Sequence, residues 1–279
     1  MARPLKELTG VNVHVKVVDI GANMIDSEPP YAPLLRAEVA DVVGFEPNPE
    51  ALDRLNNLKG PHETYLPHAV GDGKQHRLKF CFAQGMTSLL QPNQKVLGLF
   101  HGFPTWGTVT SETDLDTVRL DDMPETAGVD LLKMDIQGAE LMVLQNAEER
   151  LKTTLVIQSE VEFLQMYEGQ PLFSEMEIFL RERGFVFHRF FPTVSRVIQP
   201  MMVDNNIYAG LSQLLWADAI FVRDFTRLEL LSDRELLATA EILHDCYQSV
   251  DLVLHLLNEH DRRNGGQLGA TYLGALTGA

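Results

Sequence analysis

The feature that most constrains this chain is an alternation, over its first 70 or so residues, of β-branched runs with helix-start signals. Residues 13–20 (Val-His-Val-Lys-Val-Val-Asp-Ile) read as a buried strand, which Gly21 ends. A turn at Pro29 and Pro30 precedes a short helix near 32–38. Residues 41–46 read as a second strand. Asn48 then has the form of an N-cap, with Pro49 at the first helical position and Glu50 behind it. That helix is predicted to reach about 58 and to stop at Gly60-Pro61. A third strand is predicted at 64–70, closed by Gly71-Asp72-Gly73. Strand–helix–strand–helix–strand at this pitch makes a right-handed, parallel α/β sheet.

The stretch from 84 to 116 carries Gly85, Pro92, Gly98, Gly102, Pro104 and Gly107, and reads as a long insertion with little regular structure. The α/β rhythm resumes with a strand at 129–135 and a helix at 138–151, striped by Leu141, Leu144, Ala147 and Leu151. A strand at 154–161 and a helix near 172–183 follow. Segments 185–191 and 214–222 are predicted to finish the sheet as an antiparallel pair. Residues 1–225 thus form one α/β domain. Beyond it, 226–262 reads as a helical hairpin appended to that domain, with Leu236, Ala240, Leu243 and Tyr247 on one helix and Val250, Val253, Leu254 and Leu257 on the other. The stripes of such an appendage suit self-association, as a homo-oligomer, or a lid. The tail 263–279 is rich in Gly and Ala, lacks charge after Arg263, and is expected to be mobile.

Composition narrows the function classes. Lys plus Arg is 23 and Asp plus Glu is 39, giving a formal net charge of −16. That balance argues against a nucleic-acid binder and against docking on an anionic membrane. The two cysteines, Cys81 and Cys246, form no Cys-x-x-Cys pair, so no structural zinc site and a reduced compartment are expected. No window has the length of a membrane span or a secretory leader, and a cytoplasmic protein is the default expectation.

Ligand crevices of doubly wound sheets lie outside the carboxyl ends of the strands. Asp19 and Gly21 stand at the end of the first strand, where they either face a ligand or make and cap a tight turn. Glu46 ends the second strand, where a carboxylate accepts two hydrogen bonds from a ribose diol. The three-glycine pyrophosphate turn of dinucleotide sites is missing after Gly21, which favours a nucleoside ligand without a diphosphate. Lys133 and Asp135 share one face of the fourth strand; Asp135 also suits a cap of the next helix, and Lys133 a pair with a neighbouring carboxylate. Glu160 places a second carboxylate at the same crevice.

Three segments in this order and spacing, 17–23 (Val-Val-Asp-Ile-Gly-Ala-Asn), 44–49 (Gly-Phe-Glu-Pro-Asn-Pro) and 130–140 (Asp-Leu-Leu-Lys-Met-Asp-Ile-Gln-Gly-Ala-Glu), resemble the motifs of the FkbM-type methyltransferases. The similarity spans about 17–224. It implies a class I methyltransferase (Rossmann-like) fold: a mostly parallel sheet with an antiparallel last strand. It also implies S-adenosylmethionine as methyl donor and, most often, O-methylation of a sugar, glycan or secondary metabolite. By position, the resemblance assigns the methionine end of the cofactor to Asp19, Gly21, Ala22 and Asn23. It assigns the ribose to Glu46, the adenine border to Ala69, Val70 and Asp72, and the substrate side to Ser88. Relatives often carry a second glycine after the Gly-Ala-Asn, whereas this chain continues Met24-Ile25-Asp26-Ser27.

A sugar hydroxyl is a weak nucleophile whose proton must be taken, by a carboxylate or histidine or with help from a divalent metal. Asp135, Glu160 and His188 are the catalytic candidates, and the metal-free route is the favoured one. His101 and Trp106 are candidates for shaping the acceptor pocket. Two other readings stand beside this one. One is a nicotinamide-dependent oxidoreductase, which the missing glycines count against. The other is a catalytically inactive nucleoside-binding or assembly module.

Overall fold

The structure, a computed structural model, describes residues 3–23 and 28–278. The segment Met24-Ile25-Asp26-Ser27, where the sequence departs from the motif pattern, lies outside the described residues. A short helix α1 (Leu5–Thr9) leads into β1 (Val15–Ile20), α2 (Ala32–Arg36), β2 (Ala40–Phe45), α3 (Pro49–Leu58), β3 (Glu63–Leu66) and β4 (Ala69–Val70). Next come β5 (Gln75–Cys81), α4 (Gln94–Leu97), α5 (Phe103–Trp106), β6 (Val109–Val118) and β7 (Leu131–Met134). These are followed by α6 (Glu140–Gln145), α7 (Glu148–Leu151), β8 (Val156–Glu162), α8 (Phe173–Arg181), β9 (Phe185–Arg196) and β10 (Gln213–Arg223). Helices α9 (Asp233–Tyr247), α10 (Val250–Asn264) and α11 (Leu268–Thr277) close the chain.

Seven strands form the main sheet in the order β3-β2-β1-β7-β8-β10-β9. The first five are parallel. β10 runs antiparallel to both its neighbours, as a class I methyltransferase fold requires. Strand addition reverses direction between β1 and β7, so the crevice opens at the carboxyl ends of those strands. Asn48 caps α3 as its sequence predicts, accepting from the N–H groups of Glu50 (3.0 Å) and Ala51 (3.2 Å).

Two local predictions need correcting. The strand predicted at 64–70 is two strands. Pro67, which has no N–H, falls where β3 leaves the main sheet. β4 then joins a second sheet of order β4-β6-β5. The stretch 84–116 is also more regular than predicted. β6 pairs antiparallel with β5 along nearly its whole length, and Leu97, Phe100 and Phe103 build a small core with Tyr167 and Leu215. The glycines and prolines there cap and turn short elements: Gly102, at φ +84°, sits where α5 begins.

The larger correction concerns the end of the chain. One face of the main sheet (Val18, Ile20, Leu132, Met134) packs on Val143, Leu144 and Leu180 of the helices between the strands. The other face (Val15, Val17, Leu131, Val156, Ile220, Val222) would lie open, because α2 is only five residues long. Leu236, Ala240, Leu243, Leu256 and Leu257 of α9 and α10 cover it. The segment 226–262 is therefore a layer of the domain and not an appendage, and its apolar stripes bury on the sheet. The tail, expected to be mobile, contains helix α11. Tyr272 is fully buried there, with its hydroxyl 2.8 Å from Nδ1 of the buried His244. The rest of α11 is largely exposed, including Leu273 and Leu276, so Gly269 and Tyr272 are the residues that seat it. No helix among the described residues is long and apolar enough to cross a membrane.

Candidate active site

A crevice of about 780 Å³ opens at the switch point of the main sheet and is roofed in part by the second sheet. Its floor is an ion pair. Asp19 and Lys133 are register partners on β1 and β7, so their side chains leave the same face. Lys133 Nζ lies 3.0 Å from Asp19 Oδ1, and Tyr31 donates its hydroxyl to Oδ2 at 2.7 Å. Lys133 also donates to the Gly21 carbonyl at 3.3 Å. Burial alone would lower the Lys133 ammonium, but the carboxylates of Asp19 and Asp135 outweigh it and raise its pKa. Gly21, at φ +81°, has no room for a side chain, since a Cβ there would collide with the Asp135 carbonyl oxygen.

One flank belongs to β2. Glu46 is buried, and its Oε1 accepts the Asn48 N–H at 2.7 Å. Burial lifts its pKa above the ordinary carboxylate value. Ala22, Asn23, Ala69 and Val70 line the crevice beside it, as their motif positions predict. Asp72 does not. It accepts from His76 at 2.7 Å and pairs with Lys74 at 3.2 Å. Burial works against its charge, yet those partners prevail and hold its pKa at about 2.

The opposite flank is acidic. Gln137, in the left-handed region at φ +58°, follows Asp135 and Ile136. Its Nε2 donates to Asp135 Oδ1 at 2.9 Å and to Glu160 Oε2 at 2.8 Å. Tyr167 donates its hydroxyl to Gln137 Oε1 at 3.1 Å, and Ser88 donates its own to the Gln137 carbonyl at 2.7 Å. Ser88 lines the crevice, but its proton is committed to holding this turn. Burial, then the charge of Asp135, pushes Glu160 well above the usual carboxylate range. Glu162 moves the same way through burial and Glu140. Asp218 rises to about 6 through burial and Asp135, against a 2.8 Å hydrogen bond from Gln158. Glu140 accepts the N–H groups of Ile136 and Gly138 (2.8 and 2.9 Å), yet burial carries it to about 7.

His188 is not part of this site. Its Nε2 lies 2.8 Å from the Ser249 hydroxyl, at the start of α10, and it does not line the crevice. His101 and Trp106 are likewise outside the lining: His101 Nε2 meets the Met201 carbonyl at 2.9 Å, and Trp106 stacks on Tyr208. The structure adds Gln137, Tyr167, Asp218 and Tyr31. Asp218 had a readable signal, a lone acid inside the apolar run 214–222, and Gln137 stood within the quoted motif. Tyr31, on a loop, had none.

The Methyltransferase FkbM domain family matches residues 19–187, from Asp19 into β9. A curated relative, the 2-O-methyltransferase NoeI of Sinorhizobium fredii (strain NBRC 101917 / NGR234), is 29% identical over 177 residues, 58% of this chain and 70% of the relative. Among solved structures, a SAM dependent methyltransferase from Aquifex aeolicus is similar at 12% identity and a TM-score of 0.31, over 78% of this chain and 87% of that one. An antibiotic related methyltransferase is similar at 10% identity and a TM-score of 0.34, over 78% and 90%.

Proposed function

The chain belongs to the FkbM methyltransferase family, and we propose that it transfers the methyl group of S-adenosylmethionine to a hydroxyl of a sugar, glycan or secondary metabolite. The observation that carries this reading is one crevice with Glu46 on one flank and the Asp135–Gln137–Glu160 cluster on the other. The activity named for the Sinorhizobium relative supports a hydroxyl acceptor.

The residues present suit the cofactor. Glu46 would accept from the ribose hydroxyls, and Ala69 and Val70 offer an apolar border for the adenine. Asp19, Gly21, Ala22 and Asn23, with the Lys133 ammonium, would hold the methionine end. When bound, S-adenosylmethionine supplies an electrophilic methyl on a sulfonium. The chain's own part is positioning and proton handling. Asp135, the exposed member of the cluster, takes the hydroxyl proton. Burial holds Glu160 toward its protonated form, in which it donates a hydrogen bond at the same place. Gln137 holds both carboxyls with one amide group.

The test is transfer of labelled methyl from S-adenosylmethionine by the full chain into a panel of glycans and small-molecule extracts. Label on oxygen is the expected result. Label on nitrogen or carbon would overturn the acceptor class, and tight cofactor binding with no turnover on any acceptor would overturn the activity.

A further inference from the structure

At the end of the main sheet opposite the crevice, three side chains from neighbouring parallel segments meet. His14 immediately precedes β1, Asp41 is the second residue of β2, and His62 immediately precedes β3. The backbone beneath them is fixed by the sheet: Val15 donates to the Val39 carbonyl at 2.9 Å and Val42 to the His62 carbonyl at 2.8 Å. His14 Nε2 lies 2.8 Å from Asp41 Oδ2, and His62 Nδ1 lies 2.8 Å from Asp41 Oδ1. One donor atom from each residue falls within 4.8 Å of the others. All three side chains are partly exposed, so an ion reaches them from solvent. Lys16, the register partner of Asp41, turns its ammonium away to the Ala127 carbonyl at 3.0 Å.

We propose that His14, Asp41 and His62 form a binding site for a divalent transition-metal ion of the zinc class, apart from the methyl-transfer crevice. Two imidazoles and one carboxylate suit zinc, nickel or copper and not magnesium or calcium, which take oxygen ligands. A tetrahedral ion with bonds of roughly 2.0–2.2 Å sets its donors about 3.4 Å apart. The imidazoles retreat from Asp41 by about half an ångström, their nitrogens draw together from a separation within 4.8 Å, and water completes the shell. The ion would tie the starts of three strands together and stabilise the fold by mass action. The sequence hides this set because the ligands are 27 and 21 residues apart from Asp41, on separate segments.

Zinc chloride titrated into the full chain, followed by calorimetry and thermal unfolding, tests the site. Wild type should bind one equivalent and melt higher, with magnesium chloride inert. Loss of an outer-shell partner alone costs ~10–100-fold in metal affinity, so H14Q and H62Q, each checked for native circular dichroism, should lose at least that much. No saturable zinc binding by wild type would overturn the proposal. So would one-equivalent binding that persists unchanged in the H14Q/H62Q double variant.

Discussion

The two sides of the crevice carry carboxylates in opposite electrical settings. At the floor beneath β1, Asp19 is buried but held by an ammonium and a phenol, so its negative charge has partners. On the β7–β8–β10 side, Glu160 and Asp218 sit among other carboxyls, with amide donors from Gln137 and Gln158, and their pKa values rise. A compensated charge is a fixed anchor, suited to holding a polar ligand in one place. An uncompensated set shares few negative charges among several groups and keeps protons that isolated carboxyls would release. The same residue type thus serves binding on one side and proton handling on the other.

Substitutions can break or sharpen that contrast. The largest effect is expected from Asp135→Asn, which keeps the shape and removes the charge on the proton-handling side. Turnover should fall by roughly 10²–10⁴-fold while calorimetric affinity for S-adenosylhomocysteine stays near wild type. Unchanged turnover would remove Asp135 from the chemistry. Next is Lys133→Met, which strips the ammonium from the floor and strands the Asp19 carboxylate. Breaking a buried pair in this way costs about 3–5 kcal/mol, read as a lower urea midpoint. A midpoint near wild type would mean that Asp19 needs no cation.

Glu46→Ala should lose a charge-assisted hydrogen bond worth about 1.5–3 kcal/mol, seen as weaker binding of S-adenosylhomocysteine with the fold intact. Wild-type affinity would sink the ribose assignment. The smallest effect is also the most telling about charge. The folded-state pKa of Glu160 is raised, so the folded protein keeps a proton that the unfolded chain releases. Its contribution to stability is full below the unfolded-chain pKa and is lost as pH rises through the folded one. Glu160→Gln should therefore unfold at a higher midpoint than wild type at pH 8 and at a similar one under acid conditions. Removing a carboxylate would then stabilise one side of the crevice while removing a cation destabilises the other. A lower midpoint for Glu160→Gln at pH 8 would collapse the comparison.

Much of this was legible in the residues. The β-branched runs, the Asn48 cap and the strand ends at Asp19, Glu46 and Asp135 report local physics, and local physics placed them correctly. What stayed hidden depends on partners far away in the chain. Lys133 shows as a floor cation only when β7 lies beside β1. Ser88 and Tyr167 reach Gln137 from 49 and 30 residues away. His188, a polar residue on a predicted strand, could not reveal that it would meet Ser249 and not a substrate. The role of 226–277 was hidden by what lay elsewhere, because the need for cover arises from the shortness of α2 and not from the helices themselves.

That C-terminal layer also sets a timetable. The Leu5 N–H donates to Asp245 Oδ1 at 2.9 Å, and the Arg3 carbonyl meets His244 Nε2 at 3.0 Å, so α1 closes against α9. At synthesis rates of roughly 5–20 residues per second, about 10–50 s separate the emergence of those partners from the ribosome. From the moment each is made, the strands bearing Val15, Val17 and then Leu131 wait with one apolar face uncovered. The nascent sheet is thus a candidate for chaperone capture until Leu256 and Leu257 arrive. For this fold, covering the second face of the sheet waits on the synthesis of α9 and α10.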